Sequence, residues 1–151
     1  MRKKPGPDRD SRNMMALTGN PIWKALSRKP MGSDAQIRVG LLSRKALYAL
    51  TNGDGLASDL NELTVSVFTA IVLAERGYGE DQLDDFNAAR QALADAHSRA
   101  IKGEGFSMTE MEGRLVADML NLHEQQIEVA EKNEVTSAIT QGFKRANSGV
   151  V

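Results

Sequence analysis

The sequence contains no cysteine and only two histidines. Disulfides, zinc–thiolate sites, iron–sulfur clusters and cysteine nucleophiles are therefore excluded, and no metal or cofactor site is expected. Long apolar runs are also missing, because the longest, from Leu63 to Ala74, has only twelve residues. A membrane-spanning helix needs about twenty. The N-terminus lacks the apolar core of a signal peptide. These absences predict a cytoplasmic protein without a membrane partner.

Charge is distributed unevenly along the chain, although the net charge is only −1. Residues 1–45 hold eleven Lys/Arg and three Asp/Glu, whereas residues 46–151 hold eight and seventeen. This asymmetry predicts a basic arm whose electrostatic partner is nucleic acid, another protein, or the acidic remainder of the chain. The candidate binding face combines the basic residues with the single tryptophan: Arg2, Lys3, Lys4, Arg9, Arg12, Trp23, Lys24, Arg28, Lys29, Arg38, Arg44 and Lys45.

Apolar residues recur with helical periodicity and predict an all-α fold, a compact bundle of five or six helices joined by short loops. The predicted helices cover residues 21–29, 34–51, 58–76, 80–102, 108–132 and 134–146. Residues 1–19, rich in charge, Gly and Pro, are predicted to form a disordered, flexible basic arm. Residues 20–147 then form the helical domain, and residues 148–151 a frayed tail.

Serine residues are predicted to cap three of these helices. Ser33 and Ser107 stand three residues before Gln36 and Glu110, the spacing of a capping box, and Ser58 precedes the third helix.

The predicted core comes from the apolar stripes of the helices. It includes Ile37, Leu41, Leu42 and Leu50; Leu60, Leu63, Val67, Phe68, Ile71 and Val72; Leu83, Phe86, Leu93 and Ile101; and Val135, Ala138, Ile139 and Phe143.

The fifth predicted helix carries a methionine-rich stripe with alternating three- and four-residue steps. Its members are Met108, Met111, Leu115, Met119 and Leu122. Two interpretations fit this spacing: an intramolecular core, which is favoured, and a seam between the two subunits of a homodimer. The stripe is therefore the candidate surface for self-association.

Motifs for catalysis or metal binding are incomplete. His123-Glu124 begins like a zinc-protease motif, but Ile127 stands where the second histidine ligand belongs. His97 falls on the apolar side of its helix and is predicted to be a boundary or hydrogen-bonded core residue. The carboxylates of residues 110–131 follow one exposed helix side rather than opposing one another across a pocket. The sequence thus predicts a protein that is not an enzyme.

A helix-turn-helix reading of residues 72–93 is disfavoured by charge. The first turn of the would-be recognition helix carries Glu80, Asp81, Asp84 and Asp85, which DNA phosphates would repel. Carboxylates at that position instead suit the helix dipole, so a plain helical hairpin is predicted.

One resemblance covers about residues 26–85. The run "LTVSVFTAIVLAERGYGED", preceded by "LSRKPMGSDAQIRVGLLSRKALYAL", resembles small helical proteins from proteobacteria, their phages and their plasmids, some of which are labelled Fis-like regulators. The resemblance implies a bacterial or mobile-element accessory protein rather than a metabolic enzyme, and it implies no role for any particular residue.

The sequence therefore predicts a non-enzymatic regulatory or accessory protein that acts through protein–protein interaction as an oligomer. The alternative is a nucleic-acid-binding protein that contacts a DNA or RNA backbone through the basic arm and the basic side of the second predicted helix.

Overall fold

The computed structural model describes residues 30–148, and this part of the chain is all-α. Its helices, in chain order, are α1 Ser33–Thr51, α2 Ala57–Glu75, α3 Leu83–Ile101, α4 Glu110–Val129 and α5 Lys132–Asn147, with a short 3₁₀ helix at Glu80–Gln82 before α3. The predicted helical bundle is confirmed. The helix predicted over 21–29, the arm over 1–19 and most of the tail lie outside the described residues.

The centre of the bundle is α2. Every residue from 66 to 74 is buried, because α2 packs against α1, α3 and α4 and most extensively against α5. Its predicted core positions, from Leu60 to Val72, are all buried as expected. By length and composition alone α2 would also qualify as a membrane span, but most of that apolar window lies inside the bundle.

Glycine at a left-handed backbone conformation ends α2. Gly77 has φ +103°, its amide donates to the carbonyl of Ala74 at 3.0 Å, and the Tyr78 amide donates to the carbonyl of Leu73 at 2.9 Å. This pair of bonds is the Schellman arrangement, which satisfies the last carbonyls of a helix and favours glycine because it has no Cβ. The predicted end of this helix near Gly77 is confirmed.

The predicted serine caps of α1 and α2 are wrong. Ser33 lies inside α1, whose N-cap is Gly32, and no side chain caps it. The N-cap of α2 is Leu56, whose backbone amide donates to the Asp59 carboxylate at 2.9 Å. Ser58 is therefore already helical.

The cap of α4 also differs from the prediction, and it joins α4 to α3. Thr109, not Ser107, is the N-cap: its hydroxyl accepts the Glu112 amide at 3.1 Å, and the Glu112 carboxylate accepts the Thr109 amide at 2.9 Å. Arg99, near the end of α3, donates to both oxygens of the same carboxylate, at 2.9 and 2.5 Å. Glu112 therefore serves twice: it closes the capping box with Thr109, and it binds Arg99 of α3.

Several predicted core residues are exposed instead. Ile37, Leu41 and Leu42 lie on the first half of α1, where no element of residues 30–148 covers them. Ile101, the last residue of α3, is exposed at the edge of a groove between α2, α3 and α5.

On α5, Gly142 rather than Phe143 faces α2. A Cβ at Gly142 would lie 2.8 Å from the backbone nitrogen of Thr69, so the two helices touch through their main chains. Phe143 is consequently turned outward and exposed, and the Ile139 side chain is 39% exposed.

Candidate binding groove

Helices α1 and α4 run antiparallel. Pro30, just before α1, forms a β-bridge with Glu131, just after α4. Further along, the Arg44 guanidinium donates to Asn121 Oδ1 at 2.5 Å and to Glu124 Oε2 at 3.3 Å. The start of α1 therefore lies at the C-terminal end of α4.

The first half of α1 and the second half of α4 enclose an open cavity of about 320 Å³, here called the α1–α4 groove. Its apolar lining is formed by Ile37, Val39, Leu41, Leu120 and Ile127, and its polar lining includes Gln36, Arg44, Glu124 and Glu128. Ile37 is 61% exposed and Leu41 is 64% exposed. The groove is thus an uncovered apolar surface beside two carboxylates.

His123 lies in the lining of this groove and is only 5% exposed. It also lines a second, smaller cavity between α1, α2 and α5. Its Nδ1 is 2.8 Å from Gln126 Oε1. The Gln126 amide nitrogen in turn donates to the carbonyls of Ala70 at 2.9 Å and Tyr78 at 2.8 Å.

This network fixes the proton of His123. The two carbonyls require the Gln126 nitrogen as donor, so Oε1 of Gln126 can only accept, and Nδ1 of His123 carries the hydrogen. Burial lowers the pKa of His123, which keeps the imidazole neutral near pH 7 and leaves a lone pair on Nε2. No donor within residues 30–148 bonds to that nitrogen. Buried acceptors are usually hydrogen-bonded, so Nε2 of His123 is an atom at which an added N–H or O–H donor would be favourable.

The described chain contains three members of the predicted basic binding face. Arg38 and Lys45 are exposed on α1, whereas Arg44 is half-buried and bound to Asn121 and Glu124. The others, Arg2, Lys3, Lys4, Arg9, Arg12, Trp23, Lys24, Arg28 and Lys29, lie outside the described residues. Residues 30–148 carry eleven Lys/Arg and eighteen Asp/Glu, so the body to which these bases attach is acidic.

The predicted self-association stripe is mostly directed into the bundle. Met108 and Met119 are buried in the core, Leu115 and Leu122 pack against it half-buried, and Met111 is exposed. The intramolecular interpretation accounts for the buried members, and the homodimer stays a prediction.

The prediction for His97 is wrong, and no burial is predicted for His123 from the sequence. His97, predicted at a boundary or in the core, is exposed on α3 and lines a separate groove between α2, α3 and α5. His123 is the buried one. The sequence does contain an indication of this burial. His123 and Gln126 continue the buried stripe of α4 beyond Met119, and buried polar side chains need hydrogen-bond partners.

The fold and the groove together define a helical bundle with one apolar, acid-flanked groove beside its first described helix. Comparison of the chain with protein-family models, with curated proteins and with solved structures found no match. The α1–α4 groove is the feature of the described residues that bears most on function.

Proposed function

We propose that this protein is a non-enzymatic regulatory or accessory binding protein, and that the α1–α4 groove receives a helical segment of a protein partner. The observation that carries the proposal is the exposure of Ile37 and Leu41 along an open groove that also contains the buried acceptor His123. Contiguous apolar surface left open beside polar residues is typical of interaction sites. An accessory role in a bacterial or mobile-element setting accords with the resemblance noted above.

Charge indicates the kind of partner helix. Glu128 stands along the α4 side of the groove, together with Glu124, whose carboxylate also accepts a hydrogen bond from Arg44. A helix with apolar residues on one side and Lys or Arg beside them would match both the lining and the carboxylates. A donor group on that helix would satisfy His123. The expected partner segment is therefore a basic amphipathic helix.

The surface of the described body favours protein over nucleic acid. Phosphate binding requires clustered positive charge, but Arg44 is already held by Asn121 and Glu124, and acidic residues outnumber basic ones. Contact of the basic arm with a DNA or RNA backbone remains the alternative. It predicts binding that weakens steeply with salt and is lost when residues 1–19 are deleted.

A paired-variant capture experiment tests the groove. Full-length wild type, the double variant Ile37→Glu/Leu41→Glu and the control Ile101→Glu are immobilised and exposed to lysate of the native host. Ile101 is a comparably exposed apolar residue, at 73%, and lines the separate groove between α2, α3 and α5, so the same change there controls for charge added to an apolar surface away from the α1–α4 groove.

The expected result is a partner retained by wild type and by Ile101→Glu, with affinity reduced about 10- to 100-fold by the groove variant, as for removal of interface anchors. An identical set of proteins bound by all three would contradict the proposal. Circular dichroism confirms that the variants are folded.

A further inference from the structure

A second groove lies where α2, α3 and α5 meet, and it is here called the α2–α3–α5 groove. It holds about 520 Å³, within the range of about 300–1,000 Å³ that is usual for small-molecule sites. The buried side chains of Val67, Phe68 and Leu93 form its apolar floor. Phe143 and Ile101 also line it, and both are exposed. The described chain therefore leaves this apolar surface open to a ligand.

The groove follows its helices lengthwise. On α3 the lining extends from Arg90 to Ile101, which is about 16–17 Å of helix at 1.5 Å per residue. On α2 it extends from Asn61 to Phe68, which is about 10 Å. This shape suits an elongated apolar body that lies along the two helices.

The charge of the lining differs from that of the body around it. Residues 30–148 carry eighteen Asp/Glu and eleven Lys/Arg, yet none of the side chains that line this groove is a carboxylate. Arg90 is half-buried at one end of the α3 lining. The other polar side chains of the lining are amides, hydroxyls and the His97 imidazole. An anion in this groove would therefore meet a cation and no facing carboxylate.

The Arg90 guanidinium has no carboxylate partner within residues 30–148. Its Nε donates to Asn87 Oδ1 at 3.3 Å, and both terminal nitrogens, Nη1 and Nη2, are without an acceptor among the described residues. Arg38, which also lacks an ion pair there, is fully on the exposed surface. The other five arginines of this part of the chain each pair with a glutamate: Arg44, Arg76, Arg99, Arg114 and Arg145.

We propose that the α2–α3–α5 groove binds a fatty acid or a similar unbranched aliphatic carboxylate, with the carboxylate on Nη1 and Nη2 of Arg90 and the chain along Leu93 and Phe143. A guanidinium and a carboxylate form two parallel charge-assisted hydrogen bonds, which fix the orientation of the ligand. Burial of the aliphatic chain against the floor and rim supplies the apolar contribution to binding.

The single cation favours a carboxylate over a phosphate ester. A phosphate monoester carries a charge of about −1.5 to −2 at pH 7, which one guanidinium does not balance. The α1–α4 groove is a different surface with a different lining, so this ligand site goes beyond the proposed function and does not depend on it.

Three probes with the same aliphatic chain test the site on the full-length protein. Dodecanoate, dodecanol and dodecylamine are titrated below their micelle concentrations and followed by ¹⁵N-resolved NMR. We expect dodecanoate to saturate one site, with shifts concentrated at groove amides such as Thr64, Ala94 and Ala146 and absent from Val39 and Gly40 of the α1–α4 groove. Dodecanol and dodecylamine should bind at least about 10-fold more weakly, because neither offers an anion to Arg90.

Substitution of Arg90 separates the charge from the apolar contribution. Arg90→Gln should weaken dodecanoate binding about 10-fold and leave dodecanol binding unchanged. Arg114→Gln removes an equal charge from an exposed arginine outside the groove and should change neither. Arg90→Glu should reverse the preference, so that dodecylamine binds more tightly than dodecanoate. That reversal requires a folded groove, and circular dichroism checks the fold of each variant.

Four outcomes would overturn the inference: no saturable binding of dodecanoate, equal affinity for dodecanoate and dodecanol, dodecanoate affinity that Arg90→Gln and Arg114→Gln alter equally, or amide shifts concentrated outside the α2–α3–α5 groove. None of them bears on capture of a protein partner through Ile37 and Leu41. Loss of that capture, in turn, would leave the fatty-acid site untouched.

Discussion

Substitution of Glu112 by glutamine offers a sharp test of the contact between α3 and α4. The Glu112 side chain is 12% exposed and accepts hydrogen bonds from the Thr109 amide and from two nitrogens of Arg99. Glutamine has nearly the same shape but no charge, and its amide nitrogen would face the Arg99 guanidinium. One charge-assisted pair is therefore lost and one donor is left facing another donor.

The magnitude follows from these contacts. Hydrogen bonds to charged groups contribute about 1.5–3 kcal/mol each, but partial solvent access to Arg99 weakens them and glutamine keeps the bond to the Thr109 amide. We expect Glu112→Gln to lower the free energy of unfolding by about 2 kcal/mol, which corresponds to a loss of about 4–8 °C in Tm or a urea midpoint lower by about 1 M.

A matched control lies two residues away. Within residues 30–148, Glu110, 85% exposed, forms an ion pair only with Arg114, one turn later. Such an i,i+4 surface pair contributes about 0.3–0.5 kcal/mol, so Glu110→Gln should have almost no effect on urea denaturation. If Glu112→Gln proves no more destabilising than Glu110→Gln, the described contact between α3 and α4 is refuted.

The same pair predicts a pH dependence. The hydrogen bond from Arg99 lowers the pKa of Glu112 below its ordinary value. The stabilisation by Glu112 is thus fully present above the unfolded-state pKa of about 4.3 and is lost as the pH falls through the folded-state pKa. The stability gap between wild type and Glu112→Gln should be constant near neutral pH and narrow in acid. A gap that widens in acid would contradict the argument.

Three further substitutions test helix packing, capping and the buried network. Gly142→Ala should lower Tm, with a cost of about 1–2 kcal/mol despite alanine's better helix propensity, because the added methyl would meet the backbone of Thr69; unchanged Tm would refute the close approach. Thr109→Ala should lower the free energy of unfolding, measured by urea denaturation, by about 1 kcal/mol, whereas Ser107→Ala should change it very little. A larger loss for Ser107→Ala than for Thr109→Ala would show that Ser107 is the N-cap. Gln126→Leu should cost about 2–4 kcal/mol in the same assay, because it leaves a buried imidazole and two carbonyls without partners, and a neutral effect would argue against the network.

Helix existence could be predicted from the sequence because it depends on local patterns. The apolar period of α2 and the glycine at residue 77 each carry enough information to locate a helix and its end. Burial is a different matter, since periodicity identifies an apolar face but not the element that covers it. Ile37 and Leu41 have the same pattern as Leu50, yet only Leu50 has α2 and the start of α4 beside it.

Caps could not be assigned for a similar reason. Both Ser107 and Thr109 stand three residues before a glutamate, so local chemistry allows either box. The box that forms is the one whose glutamate also meets Arg99, on another helix.

The candidate site depended on a contact network that no motif encodes. The protonation of His123 is set by Gln126, one turn later, and Gln126 is in turn oriented by the carbonyls of Ala70 and Tyr78 in distant segments. Only the placement of polar residues at core positions of α4 hinted at it.

The central position of α2 has a consequence for synthesis of the chain. Its most extensive packing partner, α5, is encoded last among the described helices. At about 5–20 residues per second, a ribosome needs roughly 4–14 s to advance from residue 75 to residue 147. During that interval the most apolar segment of the nascent protein has no α5 to cover it. Premature termination before α5 would release a product in which the face of α2 that packs on α5 is uncovered, and transiently exposed apolar surface of this kind makes a chain prone to aggregation.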